Sequence, residues 1–151
     1  MIFVDTNVFY NSLFNTKFSA SARGFIETNH ELATSSSVIN ELILVAIRNL
    51  CEERYGTKNH SSFRRFIERR GYEPFKGELD DILQFFEDSD ICILPTNEIV
   101  NDWSEIMQKY RLLPYDALIV STCIFNGIRD IATFDKDFKR VDLLDVLDLN
   151  E

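Results

Sequence analysis

The sequence predicts an α/β fold, a single domain spanning residues 1–151 with a central, mostly parallel sheet. Short runs of strand length, Ile2-Phe3-Val4, Glu31 to Thr34, Ile91 to Leu94 and Asp130 to Thr133, alternate with longer stretches of helical periodicity. Strands separated by helices build βαβ units, which pair parallel strands. The chain of 151 residues is 45% hydrophobic, enough to close one core without disulfide or metal staples.

Each element has a local reason. Ile2-Phe3-Val4 is a buried strand broken at Asp5-Thr6-Asn7, a turn or N-cap cluster. Ser19 or Ser21 opens a helix to about Thr28. After the second strand, Ser35-Ser36-Ser37 offers N-caps for a helix carrying Val38, Glu41, Leu42, Val45 and Ile47. A helical segment rich in charge and aromatics runs to about Arg70 and closes at Gly71. Another helix lies between Gly77 and Asp90, with Ile82, Leu83, Phe85 and Phe86 on its apolar side. Pro95 ends the third strand, and Ile99, Trp103, Ile106 and Met107 recur at helical spacing. Pro114 starts a helix that runs to about Asn126 and stops at Gly127. The last strand is expected within Val141 to Val146.

Composition excludes several classes. No apolar run reaches the roughly 18 residues of a membrane span, and Met1 to Asp5 lacks the basic start of a signal peptide. A cytoplasmic protein without membrane partners is expected. Cys51, Cys92 and Cys123 are odd in number and far apart, so half-buried reduced thiols are expected. With only two histidines, His30 and His60, a Cys/His zinc site is not expected. A net charge of −9 argues against non-specific nucleic-acid coating, but not against a nuclease with acids at its centre and bases at its rim.

In an open parallel sheet, ligands bind beyond the carboxyl ends of the strands. Asp5 follows the first strand, Glu41 lies early in the helix after the second, and Asp135 and Asp137 follow the fourth. Asp116 lies in the first turn of the helix opened by Pro114. Four or five carboxylates are therefore expected to converge on one sheet edge. Such a cluster repels itself, so removing one charge is expected to leave the fold intact or stabilised. Hard divalent cations, Mg²⁺ or Mn²⁺, relieve that repulsion. Two of them about 3.5–4 Å apart are a standard device for phosphodiester hydrolysis.

Taken singly, each acid also has a plain structural reading. Asp5 could cap a turn or helix, Glu41 could be solvated, Asp116 could be ordinary helix charging, and Asp135 or Asp137 could form a turn. Their joint order carries the inference. Val4-Asp5-Thr6-Asn7, Ser37 to Glu41, Leu113 to Ile119 and Thr133 to Phe138 resemble, in order and spacing, the PIN-domain nucleases, nearest to their VapC-like toxin branch. The resemblance covers essentially the whole chain. It implies an α/β/α sandwich, cleavage of single-stranded or structured RNA with Mg²⁺ or Mn²⁺, and a small antitoxin protein as partner; a homodimer is also expected. It also implies a catalytic and metal-binding quartet of Asp5, Glu41, Asp116 and Asp135, with Asp137 as a further metal ligand and Thr6 and Asn7 as polar neighbours that contact RNA. A PIN-domain RNA-processing nuclease without an antitoxin, or a silent PIN-fold binding module, are the alternatives. Receiver and haloacid-phosphatase readings fail, because Asp5 has no acidic neighbour and position 7 is Asn.

The segment from about 48 to 77 is longer than the compact toxins require. Between Arg48 and Lys76, eight bases face four acids, a local charge of +4, interleaved with Tyr55, Phe63, Phe66, Tyr72 and Phe75. Two readings stay open: an RNA-binding rim using Arg64, Arg65, Arg69 and Arg70, or an amphipathic helix with core aromatics and solvated bases.

Overall fold

The computed structural model describes residues 1–149. Its elements run β1 (Ile2–Val4), α1 (Thr6–Leu13), α2 (Ser19–Thr28), β2 (Leu32–Ser35), α3 (Ser36–Tyr55), α4 (His60–Arg70), α5 (Lys76–Asp88), β3 (Cys92–Leu94), α6 (Val100–Tyr110), α7 (Pro114–Phe125), β4 (Asp130–Ala132) and β5 (Asp145–Leu147), with short 3-10 turns at Glu73–Phe75 and Lys136–Arg140.

All strand pairs are parallel, in the order β3-β2-β1-β4-β5. Ile2 pairs with Leu32 on one side and Asp130 on the other, so β1 is the central strand. Strand order reverses there: the chain moves outward through β2 and β3, then returns to the other side of β1 with β4. That reversal makes the carboxyl ends of β1 and β4 the ligand-binding position of an open sheet. Right-handed crossovers in opposite directions put their helices on opposite faces; α1 packs on α2, and α6 on α7. This is the α/β/α fold expected. Its core holds Phe3, Val4, Val8, Phe9, Val38, Ile119, Val120, Ile131 and Phe138. Both faces of the central strands are covered, which is why β1 reads as an unbroken apolar run and β4 is apolar after Asp130.

The chain divides into two compact units, residues 1–39 with 90–151, and residues 40–89. The second unit is helical and has its own core of Ile47, Cys51, Phe63 and Phe75, with Ile43, Leu50, Phe66, Ile67 and Leu79 packed against it. Asn59 opens α4 with a capping box to Ser62, and Gly71 closes it at φ 62°, a left-handed conformation that suits glycine. Phe63 is therefore a core ring rather than a base-stacking one.

Several boundaries differ from expectation. A full helix, α1, follows Asp5, whose side chain accepts from the Thr6 N–H and caps it. The second strand starts at Leu32 instead of Glu31, because Glu31 sits at φ 57°. The last strand is Asp145–Leu147: the N–H groups of Val141 and Leu144 bond back to Phe138 and Val141, forming turns instead of a ladder. Leu83 faces solvent while Ile82 takes the buried position on α5. Cys51 and Cys123 are fully buried, whereas Cys92 is exposed on the edge strand β3; all three are free thiols. Among the described residues, no helix is long and apolar enough to cross a membrane.

Candidate active site

The switch point holds a closed hydrogen-bond network. Asp5 leaves β1 with its own N–H bonded to the Ala132 carbonyl of β4, 3.1 Å away, so the two strand ends are fastened together. Asp5 is buried, 5% exposed. One oxygen accepts from the Thr6 N–H at 2.7 Å. The other accepts from the Asn7 Nδ2 at 2.8 Å and from the Thr133 hydroxyl at 2.7 Å. Each of these donors is neutral, so the carboxylate is oriented by hydrogen bonds that leave its charge available. Burying a charge is tolerable when its lone pairs are satisfied in this way.

Asn7 and Thr133 carry the network onward. The Asn7 Oδ1 accepts from the Phe134 N–H at 3.0 Å, and the Thr133 Oγ1 accepts from the Asp135 N–H at 3.0 Å. Thr133 thus links Asp5 to the backbone of Asp135 through a single hydroxyl. The Asp135 carboxylate caps the following 3-10 turn by accepting from the Asp137 N–H at 2.8 Å. Asp137 itself is exposed and pairs with Arg140 at 2.8 Å, which places it at the edge of the network.

Asp116 is half-buried in the first turn of α7, behind Pro114, where the helix dipole favours a negative charge. Farther along the same helix, the buried Cys123 thiol has its pKa pushed up, first by burial and then by the negative charge of Asp5. Charge at Asp5 is therefore felt at α7. Glu41 is half-buried in the second turn of α3 and belongs to the helical unit.

Among the described residues, no group of three or more His, Cys, Asp or Glu side chains is arranged to hold a metal ion. Asp5 and Asp135 are joined through Thr133 instead. The donor chemistry nevertheless fits a hard divalent cation, because Asp5, Asp116 and Asp135 offer only carboxylate oxygens, and nitrogen and sulfur ligands are lacking from the network. Thr133 is the participant that sequence reasoning passed over; its signal was a hydroxyl directly after β4 and two residues before Asp135.

Comparison with known proteins fits this geometry. The family model for the PIN domain matches residues 2–144. The chain belongs to the PIN-domain family. Ribonuclease VapC2 of Methanocaldococcus jannaschii is 34% identical, over 98% of this chain and 93% of that protein. Among solved structures, the PIN domain superposes on VapC20 of Mycobacterium tuberculosis, described as a sarcin-ricin loop cleaving toxin, with a TM-score of 0.63 and 16% identity, covering 94% and 95% of the two chains. It also matches VapBC2 of Rickettsia felis bound to a promoter DNA fragment, with a TM-score of 0.59 and 19% identity, covering 97% and 98%. At those identities the structures speak for the shared fold.

Proposed function

We propose that this PIN domain is a divalent-metal-dependent endoribonuclease, the toxin of a toxin–antitoxin pair, and that it cleaves single-stranded or structured RNA. The observation that carries the reading is the oriented, buried carboxylate of Asp5 at the switch point, tied through Thr133 to Asp135. The near full-length likeness to a ribonuclease supports the activity. Relatives solved as toxin–antitoxin assemblies support a small antitoxin partner. The exposed Leu113, Ile124 and Phe125 around α7 support a homodimer. A cytoplasmic location accords with RNA as substrate.

The catalytic residues are Asp5, Glu41, Asp116 and Asp135, with Asp137 as a peripheral acid. When bound, Mg²⁺ or Mn²⁺ supplies a hydroxide from water near neutral pH and offsets charge on the phosphoryl oxygens. The chain provides the rest. Asp5 presents a fixed carboxylate, because Thr6, Asn7 and Thr133 hold both of its oxygens. Asn7 spans β1 and β4 and keeps the Phe134–Asp135 turn in place. Asp116 adds negative charge at an N-terminus that tolerates it.

The test is incubation of the purified chain with a pool of single-stranded and hairpin RNAs, in Mg²⁺, in Mn²⁺ and in excess chelator. Discrete fragments with either metal and none in chelator are expected. Cleavage that persists in chelator, or none in any condition, refutes the assignment.

A further inference from the structure

The helical unit carries a group of bases on α4. Ser62, Arg65, Phe66, Arg69 and Arg70 fall on one face of α4, at spacings of three and four residues. Together with Thr57 they line a cavity of about 350 Å³. The neighbouring cations are engaged: Arg54 pairs with Glu78, Arg64 with Glu68 at 3.2 Å, and Lys76 with Asp80 at 2.7 Å. Arg65 and Arg69 have no ion pair or hydrogen bond among the described residues. Arg70 lies over the rings of Tyr55 and Phe66, at 5.6 and 5.7 Å. The Thr57 hydroxyl is buried at this cavity without a hydrogen-bond partner.

Three guanidinium groups without acidic partners repel one another unless an anion joins them, and their planar forks suit phosphate oxygens. A buried hydroxyl without a partner costs free energy until it finds one. The exposed Tyr55 ring lies tilted against Phe66, with centroids 4.5 Å apart, and borders the same bases through Arg70. We propose that this α4 cavity binds backbone phosphates of single-stranded RNA through Arg65, Arg69 and Arg70. The choice of RNA rests on the ribonuclease reading; the anion site itself does not.

The experiment is a salt titration of binding with the full-length chain in chelator, where hydrolysis is stopped. A fluorescent single-stranded RNA of twelve nucleotides is the probe, and a hexaglutamate peptide is the competing acidic ligand. Each lost phosphate contact lowers the log–log salt slope by about 0.7 for single strands. Arg65→Gln with Arg69→Gln should therefore reduce the slope by about 1.4, and the addition of Arg70→Gln should bring the loss to about 2. Over a fourfold rise in salt, that loss removes roughly a 16-fold change in affinity. The double variant keeps Arg70 on its rings, so a melt like that of the wild type shows it folded. A slope and affinity unchanged in a folded double variant overturns the proposal. So does hexaglutamate that binds more tightly than RNA and loses that binding in the variant. Cleavage of the same RNA by the wild type in Mn²⁺, run in parallel, reports on the ribonuclease reading separately.

Discussion

Asp5→Asn should destabilise the protein as well as silence it, because both oxygens of the native carboxylate accept hydrogen bonds. In the native side chain one oxygen receives the Thr6 N–H at 2.7 Å, and the other receives Asn7 and Thr133 at 2.8 and 2.7 Å. An asparagine keeps one acceptor oxygen and turns the other position into an NH₂ donor. Pointed at Thr6, that NH₂ faces the N–H it should cap, and loss of an N-cap costs about 0.5–2 kcal/mol. Pointed the other way, it faces Asn7 Nδ2 and a Thr133 hydroxyl whose oxygen already accepts from Asp135. A buried donor left without an acceptor costs about 1–3 kcal/mol. Removal of a buried charge offsets part of this, since a carboxylate costs free energy to take out of water. The net expectation is a loss of about 0.5–2 kcal/mol, or roughly 1–8 °C in Tm for a domain of this size. Thermal and urea melts of the wild type and Asp5→Asn in chelator measure it. A variant as stable as the wild type, or more so, refutes this network and shows that self-repulsion of the acids outweighs the hydrogen bonds.

Thr133→Val keeps the shape but removes the hydroxyl between Asp5 and Asp135; cleavage should slow about 10–100-fold, the usual effect of losing a group that orients metal-site ligands, and wild-type rates in this variant argue against it as a positioning residue. Phe63→Ala, at a ring 7% exposed in the helical core, should cost about 3–5 kcal/mol, which an unshifted melt would contradict. Hydrogen bonding to Arg54 holds the Glu78 carboxyl below its ordinary range, so the pair stabilises the fold above the unfolded carboxyl pKa and fades as pH falls through the lowered folded value. Glu78→Gln should therefore cost about 0.2–1 kcal/mol at pH 7, the scale of a partly exposed pair, and that cost should shrink as the pH falls below about 4.5; a cost that grows in acid contradicts the sign.

Much of the frame was legible because period and punctuation agree. Pro114 and Gly127 bracket α7, Gly71 closes α4, and the apolar triplet of β1 with Ile131 and Ala132 of β4 announces a buried sheet. The acids were visible from their position behind those strands. What stayed hidden depends on three dimensions. Nothing local says that Thr133 reaches across to Asp5, since the two are brought together only by the pairing of β1 with β4. Likewise the bases of residues 48–76 look equivalent along the chain, yet ion pairs with Glu68, Glu78 and Asp80 remove three and leave Arg65, Arg69 and Arg70 around one cavity. The Val141–Val146 run misled because buried valine and leucine suit a strand, while their N–H groups serve turns.

The central claim, that acids at the switch point of the sheet cleave RNA, is tested most directly by Asp116→Asn. Asp116 lies in the first turn of α7, and a melt of the variant beside the wild type ensures that the rates compared are those of two folded proteins. Single-turnover cleavage of one RNA by the two proteins, each saturated with Mn²⁺, is the measurement. Fragments are expected from the wild type, with a loss of at least about 100-fold in the folded variant, the scale set by removing one stabilising group from a catalytic site. Equal rates from the two folded proteins would contradict it.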